Sequence, residues 1–411
     1  MYGENPNLLE LKEAYESYYK THPFVKNQHT QYYKRLLKSS FHLIDEQGFA
    51  SKDPNLGFAE FVTKSRQTNN QKASNSPWEE AGPWQYDHEQ AMDFSVQSPG
   101  SAHVQTVEQS SSNPDVVWAG TATAGAWKST DKGLSWNLMT RDLPVNEVYS
   151  IAIDPLDENN VLISGNSTIY KSTDAGLSWN EVNIASTGRV RDMQFVNNDE
   201  NLILVASRNF LARSADFGAS FTTISTDEHM ELEQHPTNPS IWYSVKLAGI
   251  KTEFYKSTDF GVTWVLKTPG WPNPPVGDEN KRCEIAVSEN DPDKVFVWAS
   301  GTGDGHDGFY GLYVSNDAGE TFNFQCCGSG PGGVYDLATN PNLLTWSENA
   351  DEDGGQYYYD LAFDVSPNDA DKMFGAGINT WRSEDGGSNW TLNSHWVTWV
   401  GNLQHRYNHA D

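Results

Sequence analysis

An all-β fold assembled from repeated four-stranded units is what this sequence predicts, and three observations predict it. The first is an eight-residue signature, Ser-x-Asp-x-Gly-x-x-aromatic, that occurs six times. The copies are Ser129-Thr-Asp131-Lys-Gly133-Leu-Ser-Trp136, Ser172-Thr-Asp174-Ala-Gly176-Leu-Ser-Trp179, Ser214-Ala-Asp216-Phe-Gly218-Ala-Ser-Phe221, Ser257-Thr-Asp259-Phe-Gly261-Val-Thr-Trp264, Ser315-Asn-Asp317-Ala-Gly319-Glu-Thr-Phe322 and Ser383-Glu-Asp385-Gly-Gly387-Ser-Asn-Trp390. The second is their spacing: the aspartates lie 43, 42, 43, 58 and 68 residues apart. The third is what lies between them, short alternating strands such as residues 148–155, 160–166, 168–173 and 177–182. Turn chemistry inside a period of about 40–50 residues is the mark of a β-propeller. The expected fold is therefore a propeller of four-stranded antiparallel blades, with six blades visible and seven or more in the complete protein.

Each signature reads as a hairpin turn. Its Asp accepts hydrogen bonds from backbone N–H groups a few residues on. Its Gly supplies a positive φ. Its aromatic opens the next strand and packs between blades. Asp131, Asp174, Asp216, Asp259, Asp317 and Asp385 are thus expected to be structural. A Ca²⁺-loop reading fails because the other oxygen ligands are missing at the required spacing.

Three segments are expected: a helical one at 1–64, a polar linker at 65–77 and the propeller at 78–411. In the first, Leu8, Leu11, Tyr15, Tyr18 and Tyr19 recur at helical spacing behind Asn7, with Glu10 placed as in a capping box. A second helix fits 30–47, stopped by Gly48, and a short third one fits 56–64. Residues 78–84 read as a lone outer strand, and 399–411 as the start of another unit. Those two features lead to the expectation that the chain is the N-terminal part of a longer protein.

The signature resembles the Asp-box, or bacterial neuraminidase repeat, of sialidases, sortilin-type receptors and xyloglucanase-type glycosidases. Other residues sharpen the resemblance: Pro341-Asn-Leu-Leu, Gly354-Gly-Gln-Tyr-Tyr-Tyr-Asp360-Leu-Ala, Gly377-Ile-Asn-Thr-Trp381 and His409-Ala-Asp411. With the helical lead-in they resemble large secreted Bacteroidetes proteins of the same repeat type. That resemblance implies a secreted or cell-surface location, further C-terminal domains, and a repeat hairpin remote from the ligand face. The His-Ala-Asp run lacks the further His that normally follows it, so a site at His409 and Asp411 would be half present.

Composition narrows the function. The 55 acidic and 28 basic side chains leave a net charge of −27, which opposes nucleic acid and anionic membrane as partners. No apolar stretch is long enough to span a bilayer. Met1-Tyr-Gly-Glu has no leader-like pattern, so export would need a leader outside this sequence. Cys283, Cys326 and Cys327 do not make a disulfide framework, although the last two could pair with each other. No motif requires a cofactor.

Aligning the units places Ser150, Asp192, Glu231, Glu284 and Asp360 just before each innermost strand, which suggests an acidic ring at the channel mouth. Asp192, Glu284 and Asp360 are the candidate catalytic carboxylates, since glycoside hydrolysis needs two carboxylates about 5–9.5 Å apart. Glu231 is a candidate ligand contact. So are Tyr357, Tyr358 and Tyr359, which stand as stacking platforms at the end of a long insertion at 326–359. Arg189 and Arg191, with Arg282 at a comparable place, could grip an anionic sugar. No Arg-Ile-Pro motif accompanies them, and the acidic bias opposes that substrate. The loop around Asp304 and Asp307 suits Ca²⁺ and equally suits a plain acidic loop. Two functions follow: a non-catalytic module binding protein or glycan, or a polysaccharide-active glycoside hydrolase.

Overall fold

The computed structural model describes residues 7–25, 29–30, 33–34, 36, 47–49, 103–165, 168–182, 184, 188–197, 199–274, 277–303, 306–328 and 341–396. The chain forms two compact units, Met1–Gln85 and Tyr86–Asp411.

In the first unit, helix α1 spans Leu8–Thr21. Asn7 caps it as expected: its side-chain oxygen accepts from the N–H groups of Leu9 and Glu10, each at 3.1 Å. Glu10 in the first turn and Lys20 in the last complement the helix dipole. Leu8 is fully buried, and Tyr15 stacks on Tyr33 at 3.7 Å between ring centroids. Tyr15 of the stripe thus packs on its neighbour, whereas Tyr18 is exposed and stacks on His22. His29, Thr30, Tyr33, Lys34 and Leu36 are helical, in keeping with the second expected helix. The third helix, the linker and the 78–84 strand lie outside the described residues. Among the described residues no helix is long and apolar enough to cross a membrane.

Among the described residues the second unit forms six β-propeller blades, each of four antiparallel strands in simple meander order. Blade 1 holds β1 (Val104–Gln109), β2 (Val117–Thr121), β3 (Ala126–Ser129) and β4 (Asn137–Leu138). Blade 2 holds β5 (Ile151–Ile153), β6 (Val161–Ser164), β7 (Ile169–Ser172) and β8 (Asn180–Val182). Blade 3 holds β9 (Val190–Val196), β10 (Asp199–Ser207), β11 (Leu211–Ser214) and β12 (Thr222–Ser225). Blade 4 holds β13 (His229–Gln234), β14 (Trp242–Ala248), β15 (Lys251–Ser257) and β16 (Val265–Lys267). Blade 5 holds β17 (Glu279–Ser288), β18 (Asp291–Gly303), β19 (His306–Ser315) and β20 (Asn323–Cys326). Blade 6 holds β21 (Ala362–Val365), β22 (Met373–Ala376), β23 (Thr380–Ser383) and β24 (Thr391–Ser394). The innermost strands β1, β5, β9, β13, β17 and β21 pack in that order around a common channel. Any further blade would draw on residues outside the described set.

The signature builds the same turn six times. In blade 2, Ser172 Oγ donates to Asp174 Oδ1 at 2.8 Å and accepts from the N–H of Gly176 at 2.8 Å. Asp174 also accepts from the N–H and hydroxyl of Ser178. The residue after each Asp has positive φ, between 55° at Ala318 and 69° at Gly386, and so does the Gly that follows. That intervening N–H reaches back to the first-to-second-strand turn of its own blade, as in Ala175 to the Asn159 carbonyl at 2.9 Å. The signature therefore ties two hairpins together at one end of the blade.

Apolar packing sits between blades. Five hydrophobic clusters fill the seams 1–2, 2–3, 3–4, 4–5 and 5–6. Signature aromatics reach across these seams: Trp179 meets Trp118, Phe322 meets Phe254, and Trp390 meets Trp298. Cys326 and Cys327 are joined as a vicinal disulfide across a cis peptide bond, and Cys283 is a buried thiol.

Candidate functional site in the acidic channel

Side chains alternate along a strand, so every second residue of an innermost strand faces the channel. Strand pairing puts one residue per blade at the same level: Glu108, Ala152, Gln194, Glu233, Ala286 and Asp364. Two residues earlier stand Ser150, Asp192, Glu231, Glu284 and Ala362. Both levels carry carboxylates. A cavity of about 440 Å³ opens among them, lined by Glu108, Asp192, Glu233 and Asp364 with residues of all six innermost strands. Its other lining residues include Ser111, Pro155, Asn197, Pro236, Glu289 and Pro367, from the turns that follow those strands. The cavity thus reaches the end of the channel where the innermost strands finish.

Crowding like charges away from bulk water raises carboxyl pKa values. Enclosure pushes Glu108 up to about 8, helped by the charges of Asp192 and Asp364. Enclosure also lifts Asp192 to about 6, against the pull of hydrogen bonds from the N–H groups of Leu232 and Met193. Glu231 is raised well above the carboxylate range by enclosure and by the charges of neighbouring Glu284 and Asp192. Glu233 is raised in the same way among Asp192, Asp364 and Glu108. Asp364, although exposed by area, is raised by the protein around it.

The opposite end, where the innermost strands begin, is a ring of ion pairs. Arg191 holds Glu228 at 2.9 Å, and Arg189 holds Glu147 at 3.5 Å while lying over the Tyr149 ring. Arg282 holds Glu284 at 3.0 Å and also donates to the carbonyls of Tyr357, Tyr359 and Leu361. Each arginine expected to grip an anionic ligand is thus occupied by a glutamate. The tyrosine turn stands here: Tyr358 is 68 % exposed, whereas Tyr357 is buried. Tyr359 Oη lies 2.9 Å from His103 Nδ1, linking blade 6's lead-in to blade 1's.

The expected ring comes together in part. Asp192, Glu231 and Glu284 meet in the channel. Ser150 stands at their level as a buried hydroxyl residue. Asp360 does not join them: strand register assigns that level of blade 6 to Ala362. Asp360 sits in the turn before β21, buried, its N–H bonded to the Gln356 carbonyl at 2.7 Å. The 326–359 insertion disturbs the unit spacing, which is why counting from the repeat lands two residues short. Glu108, Glu233 and Asp364 were not singled out from sequence. The i+2 alternation from Glu231 to Glu233 was the available signal; β1 and β21 have none without their pairing partners. Asp307 accepts from Thr302 Oγ1 at 2.8 Å, while Asp304, His409 and Asp411 lie outside the described residues. Among the described residues no group of three or more His, Cys, Asp or Glu is arranged to hold a metal ion.

Fold and channel define a class, a β-propeller, six-bladed among the described residues, with a carboxylate-lined axis. No protein-family model matches the chain, and no curated protein matches it. Solved structures do resemble it. The GH74 xyloglucanase from Xanthomonas campestris superposes with a TM-score of 0.53 at 15% identity, covering 71% of this chain and 45% of its own. The Niastella koreensis GH74 enzyme gives 0.51 at 16%, with the same two coverages of 71% and 45%. An ancestral GH74 enzyme gives 0.52 at 16%, covering 74% and 40%. At such identity the likeness is one of fold, and this chain spans less than half the length of these enzymes.

Proposed function

We propose that this propeller is a non-catalytic binding module, acting outside the cell or at its surface. Its cavity takes a cationic or hydroxyl-bearing group of a protein or glycan ligand onto Glu108, Asp192, Glu233 and Asp364. The observation that carries this reading is the separation of parts. Open space lies at one end of the channel, and the exposed Tyr358 lies at the other. A sugar hydrolase needs stacking platform, acid and base around one space.

A glycoside hydrolase is the second reading, favoured by Glu231, a carboxyl that keeps its proton above the ordinary range as a general acid must. Both are tested by screening the protein on arrays of neutral glycans and cationic peptides, alongside assays for released reducing ends. Binding that weakens at least tenfold in Asp192→Asn, with no sugar release, supports the binding module. Sugar release that disappears in Glu231→Gln would overturn it.

A further inference from the structure

Among the described residues, the channel cavity gathers charge of one sign only. Five carboxylates line it, Glu108, Asp192, Glu233, Glu289 and Asp364, and no lysine, arginine or histidine does. They come from five of the six blades, so their charges converge on one space. Glu289 and Asp364 are exposed, whereas Glu108, Asp192 and Glu233 are half-buried. Asp192 accepts from the N–H of Leu232 at 3.1 Å and from Gln194 Nε2 at 3.3 Å. Glu108 has no such support: among the described residues it accepts no hydrogen bond and pairs with no cation.

The surrounding strands offer no counter-charge. The six innermost strands carry three cations, Arg191, Lys281 and Arg282, and each is already held, by Glu228, Glu279 and Glu284 respectively. Their one histidine, His229, is buried beside Ser244, and burial with the charge of Lys246 pushes it down to about 4, so it stays neutral around pH 7. Blade 2 contributes only Ile151, Ala152 and Ile153 from its innermost strand. Carboxylates crowded in this way cannot all ionise together, and some hold protons near neutral pH. The upward shifts of Glu108 and Glu233 express that crowding.

We propose that the ligand group this cavity selects is an organic cation, the ammonium or guanidinium head of a lysine- or arginine-type chain, and that its entry drives a proton out to solvent. The exchange balances: one carboxyl O–H bond breaks, its proton leaves with water, and the carboxylate left behind accepts an N–H hydrogen bond from the cation. This rests on reading the cavity as the binding site and narrows that reading to one ligand class and one linkage. Size favours an organic group over a bare ion, since about 440 Å³ lies within the range of about 300–1,000 Å³ that suits organic ligands. Arrangement agrees: among the described residues no three of the carboxylates are placed as metal ligands. A neutral hydroxyl group entering the same space leaves the crowded charges unpaired.

The test is titration calorimetry of the full-length protein in phosphate and in Tris, whose different ionisation heats count the protons released. The probes are 1,5-diaminopentane for a free amine, an end-blocked peptide with one lysine for a protein side chain, and cellotetraose for a neutral glycan. We expect an amine probe to bind with release of about half a proton to one proton at pH 7. Its affinity should rise about tenfold or more from pH 6 to pH 8, while the amine itself stays charged. Tighter binding of the diamine or of the peptide tells which source carries the cation. Glu108→Gln should cut the proton release to less than half, and Asp364→Asn is read in the same way if that variant does not fold. Amine binding without proton release, or release unchanged in both variants, would overturn the exchange. Binding of cellotetraose alone, lost in Asp192→Asn, would overturn the cation and leave the cavity as the site. Failure of all three probes to bind would overturn both.

Discussion

Gly176 has two separate reasons to be glycine. Its φ of +87° is a conformation other residues avoid, and its missing Cβ leaves room for the Trp118 ring of the neighbouring blade. Gly133 has the first reason only, with φ of +85° and no neighbouring blade against it. The two positions make a matched pair. Gly133→Ala should cost about 1–2 kcal/mol, the ordinary left-handed penalty. Gly176→Ala should cost roughly 2–5 kcal/mol, because overpacking adds about 1–3. Urea midpoints of the two variants check the difference, and equal shifts would show that Trp118 moves aside freely. Ser172 belongs to the same hairpin and is fully buried, serving the N–H groups of Asp174 and Gly176 at once. Ser172→Ala leaves both without that acceptor and should cost about 1–3 kcal/mol.

At the scale of elements, innermost strands and signature hairpins titrate in opposite senses. Glu108 rises from 4.5 to about 8, and Asp192 from 3.8 to about 6. The folded state therefore holds protons that the unfolded chain releases, and stability falls as pH climbs from about 4.5 to 8. Thermal unfolding at pH 8 should accordingly come at a lower temperature than at pH 5. Glu108→Gln should flatten that slope; an unchanged slope would exclude Glu108 as its source. The hairpin aspartates run the other way. Hydrogen bonds from Ser135 and Ser129 hold Asp131 at about 2, and Asp216 is held likewise. Their contribution is present above 3.8 and is lost as pH falls toward 2, so a second decline is expected on the acid side.

The same elements show what could be read from the chain. Each signature was legible because a hairpin's hydrogen bonds close within five residues, from Ser172 to Gly176. Three of the channel carboxylates, Asp192, Glu231 and Glu284, were legible because the repeat spacing marks where an innermost strand begins. Asp360 was misplaced because the long insertion before β21 breaks that count. The paired arginines were not legible as such: Arg282 and Glu284 are close in sequence, but Arg191 and Glu228 meet only across a seam.

For the whole molecule, the amino-acid sequence by itself determined the blade as the building unit, the turn that ends its third strand, and the aromatic that enters the next seam. These follow from hydrogen bonding and steric preference over a few residues. Only the tertiary structure decided which carboxylates face one another and which end of the channel holds the open space. Those depend on strand register and on the closing of blades around an axis, where a two-residue shift exchanges Asp360 for Ala362. Trp118 and Phe374 occupy the same position in their blades, and only a neighbouring blade buries one and not the other.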